Sequence, residues 1–269
     1  MLEHTQKLTE DEDHASMGMG IHSLRAADQD SIHELVNLPY SGKPFHLHIS
    51  EQIREVEECV DFYGQRPVDW FLNHFQTPEN LNLVHATHLS AEEISQITRA
   101  EANVVLCPST EANLGDGIFP LKPYRDLGGK WSIGTDSHIG LNPMEELRLL
   151  DYGQRLTTHD RDSFHADDDS GLYAIRSSWE AGRAAMGNTY SDFFETGMPL
   201  DGLVVSSENP LVAATGLEHL MSTIIYSSNP RDYKGVIING EWIYKDGQVK
   251  NGGPILRNFL NVLKDLDIR

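Results

Sequence analysis

The sequence predicts an α/β chain carried by a parallel sheet, and three observations lead there. Five β-type runs, GIHSLR (20–25), PFHLHIS (44–50), LNLVHATH (81–88), NVVLCPST (103–110) and KWSIGTDSH (130–138), each close on polar residues. Helical patterns separate these runs, which is the alternation of βα units. After residue 189 the pattern changes to short strands punctuated by turn residues.

Taken in order, the run at 20–25 is followed by the helical stretch DQDSIHELVN (28–37). The run at 44–50 leads into EQIREVEECVDFYG and PVDWFLNHF, two helical patterns within residues 51–75. SAEEISQITRAE (90–101) opens with a capping box of Ser90 and Glu93, in which each residue satisfies the other's backbone amide. PMEELRLLDYGQRL (143–156) is the helix after the fifth run, and an acidic loop, HDRDSFHADDDSG (159–171), precedes one more helix at 173–187. Residues 190–269 read as a small β appendage. DGLVVSS and YKGVIINGEWIYKDGQ form its antiparallel strands, with a hairpin turn at Asn239–Gly240 and a closing helix at 255–266. The predicted domains are therefore 1–189 and 190–269.

The polar residues gather where βα architecture places ligands, at the C-terminal ends of strands: His22 and Arg25, His48 and Glu51, His85 and His88, Asp136 and His138. An open sheet would bind there too, but a closed barrel makes all the strand ends converge. A complete TIM-type (β/α)8 barrel takes about 250 residues. Residues 20–187 show five strands, so the expectation is a partial barrel, about strands four to eight, with the remnant of a small β-sandwich domain. Such a sector would expose two sheet edges and an apolar barrel interior, predicting poor solubility or self-association. A homo-oligomer, a dimer, is the assembly expected.

Composition narrows the partners. The chain has 269 residues, 39% hydrophobic and 23% charged, with a net charge of −20. That charge repels nucleic acid and anionic membrane surfaces, leaving a small polar molecule as the partner; an anionic one would need a local cation. Cys59 and Cys107 have no paired spacing, so neither a disulfide framework nor a thiolate metal site is expected. The first twenty residues lack the regions of a signal peptide, and no apolar run approaches a membrane span. A cytoplasmic location is the expectation.

Histidine nitrogens and an aspartate oxygen are a ligand set of catalytic zinc, which keeps a position open for water and lowers that water's pKa. A neighbouring carboxylate must then carry protons between nucleophile and leaving group. His48 as ligand, Glu51 as proton carrier and Asp136 as acidic ligand or second base fit that division. Taken singly, each favours a plainer role: a hydrogen-bonded strand-end histidine, or an aspartate capping a turn in Gly-Thr-Asp-Ser. The stronger observation is that strands end in His48, His85 and Asp136 together. Arg25 follows His22 by three residues and could clamp a carboxylate, with a surface salt bridge as the alternative. His46 is expected to pack as a satisfied core histidine. His4, His14, His33, His74, His159, His165 and His219 lie in helical or loop segments and are assigned nothing.

The order HLHISE, LVHATH, STEANLGDGIFP, GTDSH resembles the amidohydrolase superfamily in its mononuclear deaminase branch. More narrowly, IHSLRA, HISEQ, VHATH, CPSTEANLGDGIFP, IGTDSH and EELRLLDYGQRL are similar to the formimidoylglutamate deiminases, over nearly the whole chain. The resemblance implies a metallo-hydrolase with one Zn2+ per complete site. It would add water to the formimidoyl carbon of N-formimidoyl-L-glutamate in histidine degradation, leaving N-formyl-L-glutamate and ammonia. It implies that His48 binds the metal and Glu51 shuttles protons. It implies also that His85 hydrogen-bonds the water or the reacting group, and that Asp136 binds metal and takes the water's proton. His22 and Arg25 would hold the substrate near its carboxylates.

One departure is large. In that family the first barrel strand carries a His-x-His pair supplying two zinc ligands, and no such strand is found here. His46-Leu47-His48 has the spacing, but its place after the HSLR run and before Glu51 makes it the fifth strand. The expectation is the C-terminal part of such an enzyme, with an incomplete small β domain, competent only if the remaining strands are supplied. The alternatives are a catalytically silent truncated fragment, or a deaminase of the same superfamily acting on a purine, pyrimidine or triazine. Arg25 beside His22 argues against the heterocycles, which offer an arginine nothing to pair with.

Overall fold

The computed structural model describes residues 2–10, 15–39, 42–164, 169–188 and 196–266. The chain divides into two compact units, Met1–Thr189 and Tyr190–Arg269. His14, His165 and the middle of the acidic loop, 165–168, lie outside the described residues.

The first unit runs α1 (Leu2–Glu10), β1 (Met19–Ser23), α2 (Gln29–Val36), β2 (Phe45–Ile49), α3 (Ile53–Tyr63), α4 (Pro67–His74), β3 (Leu81–His85), α5 (Ala91–Arg99) and β4 (Asn103–Leu106). It continues with α6 (Pro108–Leu114), α7 (Leu121–Asp126), β5 (Lys130–Ile133), α8 (Pro143–Thr158) and α9 (Ser170–Ala185). Its sheet has the order β1-β2-β3-β4-β5, every neighbouring pair parallel. Right-handed crossovers in one unbroken direction place their helices on one face, the winding of a barrel; a doubly wound sheet reverses.

Alternation along β2 shows how the faces divide. Phe45, Leu47 and Ile49 are fully buried, while His46 and His48 between them are half-buried on the other face. That second face is not the apolar barrel interior expected from sequence. Asn103 of β4 donates through Nδ2 to Asn82 Oδ1 on β3 (2.9 Å) and to Ser132 Oγ on β5 (3.1 Å), a polar ladder across three strands. His46 Nε2 lies 2.9 Å from the Ala185 carbonyl oxygen at the end of α9, so this histidine is satisfied as expected.

Three strands end earlier than their sequence runs. The runs at 81–88, 103–110 and 130–138 leave the sheet after His85, Leu106 and Ile133. Left-handed backbone at His85 (φ 68°), Ala86 (φ 48°) and Asp136 (φ 43°) marks where two of these chains turn out of the pleat. The third ends because Pro108 opens α6 at its first position, where a missing amide costs nothing. The short helix α6 begins inside the run at 103–110, and α7 lies in the stretch between that run and the next. The capping box of α5 is present: Ser90 Oγ accepts from the Glu93 amide, and Glu93 Oε2 accepts from the Ser90 amide at 2.8 Å.

The second unit holds β6 (Gly202–Val205), α10 (Pro210–Ala214), α11 (Leu220–Ser227), β7 (Tyr233–Ile238), β8 (Glu241–Lys245), β9 (Gln248–Val249) and α12 (Gly252–Asp265). Its four strands are antiparallel in the order β6-β7-β8-β9. The predicted hairpin is there, with Asn239 (φ 49°) and Gly240 (φ 77°) both left-handed as its two-residue turn demands. The helices α10 and α11 between β6 and β7 correct the reading of this region as strands with one closing helix. Asn209, whose side chain caps α10, and Pro210 behind it were the available signal.

Candidate active site

The strand ends of β2, β3 and β5 bring His48, His85 and Asp136 together. Donor atoms of these three residues all lie within 4.8 Å of one another. His48 Nδ1 sits 2.8 Å from the His22 carbonyl oxygen, so Nδ1 carries the proton and Nε2 presents its lone pair toward Asp136 Oδ1, 3.9 Å away. His85 is oriented by a carboxylate: Nδ1 is 3.2 Å from Glu111 Oε1, leaving Nε2 at 3.9 Å from Asp136 Oδ2 and 3.8 Å from Glu51 Oε1. A regular strand would turn His85 toward the face of Leu81 and Leu83. Instead the left-handed exit at 85–86 coincides with a ring 5.5 Å from that of His48.

This donor set fits a divalent metal. Zinc bonds to nitrogen and oxygen of about 2.0–2.2 Å in tetrahedral geometry imply ligand separations of about 3.4 Å, so small side-chain adjustments close the cluster. Both imidazoles already have their Nδ1 atoms engaged, which turns each Nε2 toward the cluster, for His48 the outer arrangement that fixes a metal-binding tautomer. Neither cysteine competes: burial pushes the Cys59 thiol up to about 11 and the Cys107 thiol higher still, keeping both as inert thiols.

The electrostatics suit proton transfer. Burial raises the Glu51 carboxyl above the usual range, against the pull of His85 and Arg25. Burial by itself would lower His85, but the hydrogen bond and charge of Glu111, with Glu51 and Asp136, outweigh it and hold the imidazole above its ordinary value. Arg25 Nη2 stands 3.6 Å from Glu51 Oε2 and 3.9 Å from Glu55 Oε2. The His22 ring stacks on His48 at 5.1 Å between centroids. All six residues singled out from sequence, His22, Arg25, His48, Glu51, His85 and Asp136, are thus linked by contacts within one cluster.

Two participants were missed. Glu111 lies 26 residues beyond His85, and no spacing connects them. Glu55 is the third residue of α3, where a glutamate reaching back is a known capping device, so position alone could have found it. His88 and His138 stand apart: His88 Nε2 donates to the Asp116 carbonyl, a loop-holding bond of 2.6 Å, and His138 is exposed.

The profile of the amidohydrolase family matches residues 3–243, most of the chain. The chain belongs to the amidohydrolase family. Among relatives of this amidohydrolase, the formimidoylglutamate deiminase of Pseudomonas aeruginosa is 34% identical over 253 residues, covering 93% of this chain and 56% of that protein. A 5-methylthioadenosine/S-adenosylhomocysteine deaminase of Halobacterium salinarum is 29% identical over 232 residues, covering 85% and 52%. The solved amidohydrolase of Brucella melitensis superposes with a TM-score of 0.89 at 33% identity, over 98% of this chain and 58% of that one. An adenosine deaminase of Xanthomonas campestris, solved with bound zinc, shares the fold at a TM-score of 0.85 and 21% identity, over 98% of this chain and 60% of its own. The chain therefore spans between 52% and 60% of the length of these relatives.

Proposed function

We propose that this amidohydrolase chain carries the hydrolytic deamination of N-formimidoyl-L-glutamate to N-formyl-L-glutamate and ammonia. The observation that carries the reading is Arg25, a guanidinium 3.6 Å from Glu51 at the wall of the His48, His85 and Asp136 cluster, in a chain of net charge −20. A substrate bearing carboxylates needs that cation, and an amidine carbon needs the proton carrier beside it. The similarity to the Pseudomonas aeruginosa formimidoylglutamate deiminase supports the same substrate.

His48 and Asp136 would hold Zn2+, with His85 beside them, and the metal when bound supplies a Lewis acid that makes water nucleophilic near neutral pH. Glu51, its proton affinity raised by burial, accepts a proton from water and returns it to the departing nitrogen. Oxygen adds to the formimidoyl carbon, the bond to the terminal nitrogen breaks, and that nitrogen leaves as ammonia. His85 hydrogen-bonds the reacting group through Nε2, and His22 with Arg25 orients the glutamate carboxylates.

In this reading the sheet is a sector of a (β/α)8 barrel, about strands four to eight, beside a remnant of a β-sandwich, and activity depends on ligands from further strands. The partner is a small anion rather than nucleic acid or a membrane surface, the assembly a homodimer and the compartment the cytoplasm. Among the described residues no helix is long and apolar enough to cross a membrane.

The test is ammonia release from formimidoylglutamate by the zinc-loaded chain, alone and inside a full-length amidohydrolase in which it replaces the homologous segment. Release with formimidoylglutamate and none with 5-methylthioadenosine supports the reading. Release from the nucleoside alone, or an unchanged KM for formimidoylglutamate in Arg25→Ala, overturns it.

A further inference from the structure

The α3 N-terminus departs from ordinary capping. Its N-cap residue, Gln52, makes no side-chain cap, and Gln52 Nε2 reaches away to Asp116 Oδ1. The third helical residue, Glu55, replaces it and reaches past the N-cap: Oε1 accepts from the Ser50 amide (3.1 Å) and Oε2 from the Glu51 amide (2.9 Å). Ser50 is left-handed at φ 51°, a conformation that costs a residue with a Cβ and needs support. Both oxygens of one buried carboxylate are spent fixing the two residues that aim Glu51. The same Glu55 Oε2 is also 3.9 Å from Arg25 Nη2, which stands 3.6 Å from Glu51. One nitrogen is therefore shared between the proton carrier and the group that positions it. The Glu55 side chain is 2% exposed, whereas that of Arg25 is 40% exposed and so within reach of an incoming anion.

We infer that Glu55 is a positioning residue with two tasks: it fixes the backbone that aims Glu51, and it parks Arg25 in competition with an incoming substrate carboxylate. Binding a dicarboxylate tail then draws the guanidinium off Glu51 and Glu55, so a carboxylate-bearing substrate frees the proton carrier and a neutral one leaves it engaged. This inference rests on the proposed function for its substrate, but the parking of Arg25 stands on the ion pairs themselves.

The experiment measures glutarate affinity by calorimetry, and separately turnover of formimidoylglutamate, for the wild type, Glu55→Gln and Arg25→Gln. Glu55→Gln removes the competing charge and one of the two amide acceptors. Glutarate should bind about threefold more tightly to Glu55→Gln, the scale of an exposed ion pair, while turnover falls. Arg25→Gln should abolish glutarate binding. Tighter anion binding with slower turnover is a split that a merely structural role would not give. Glutarate affinity unchanged, weaker or absent in Glu55→Gln overturns the inference.

Should Glu55→Gln fail to fold, the wild type decides. Glutarate titration followed by amide NMR should shift the Ser50 and Glu51 resonances as Arg25 leaves, and unmoved amides with glutarate bound overturn it. Anion tightening without ammonia release from any form would leave this inference standing and remove the proposed substrate. Ammonia release with a Glu55→Gln indifferent in both measurements would do the reverse.

Discussion

The two units treat apolar surface in opposite ways. In the first, Phe45, Leu47, Ile49, Leu83, Leu106 and Trp131 come from four of the five strands and are each at most 1% exposed. In the second, Ile224 and Ile225 are the large hydrophobic side chains buried among the described residues, while Leu217, Trp242, Ile255 and Phe259 are exposed. The first unit closes a core around its sheet, and among the described residues it buries charged groups with their partners: Glu93 with Arg66, Glu55 with two amides, Glu111 with His85. The lesson is that a site able to hold a donor cluster needs dense packing behind it, because buried polar groups stay where their partners are rigid.

The sharpest way to break that comparison is to remove packing from the first unit. Phe45→Ala, in a strand position fully buried opposite His46, should destabilise by about 3–5 kcal/mol, read from the urea midpoint. A loss below about 1 kcal/mol would mean the core is not what supports this sheet. Next in size is a change at the site that should leave the core alone. In the zinc-loaded active form Glu51→Gln should lower kcat by about 10²–10³ with the urea midpoint nearly unmoved, since its backbone amide still donates to Glu55. A collapse in stability instead would show that the proton carrier is also a structural strut.

A buried charge in the first unit offers a smaller test of opposite sign. Glu146 accepts from the Ser109 amide at 2.9 Å, and its Oε1 finds no partner among the described residues. Burial raises its carboxyl above the usual range, with Ser109 offsetting part of the shift. The folded carboxyl thus holds its proton to higher pH than the unfolded one. Its favourable contribution is complete below the unfolded value and is lost as pH rises through the folded value. At neutral pH the wild type carries a buried charge that glutamine would not, so Glu146→Gln should stabilise by about 1 kcal/mol near pH 7, fading toward about pH 4. A midpoint that falls in the variant at every pH would show that the charge is compensated.

How far the sequence reveals this architecture depends on how local each cause is. The βα alternation, the Ser90 and Glu93 capping box and the Asn239–Gly240 turn are decided within a few residues, and each is where its pattern puts it. The site residues were legible because strand ends in such a sheet share one rim. Their orientation was not, since it depends on left-handed backbone at Ser50, His85 and Asp136, which none of those residue types announces. Glu111 was invisible for another reason: its partner is brought to it by the pairing of β3 with β4, a long-range fact. The polar ladder of Asn82, Asn103 and Ser132 was missed for the same reason, because each residue alone reads as a flaw in an apolar run.

The smallest effect is expected where the comparison began, on the open side of the second unit. In α12, Ile255, Phe259 and Val262, followed by Leu266 at the C-cap, repeat at helical spacing and are all more than half exposed. A side chain that remains in water when the chain folds contributes little to folding, so Phe259→Ser should shift stability by less than about 0.5 kcal/mol. The same substitution should nevertheless reduce binding of a hydrophobic dye, because it removes apolar surface the folded chain already displays. Equal losses from Phe259→Ser and Phe45→Ala would erase the difference between the units. A silent Phe259→Ser beside a crippling Phe45→Ala would confirm that burial, not the hydrophobicity of the residue, sets what each side chain is worth.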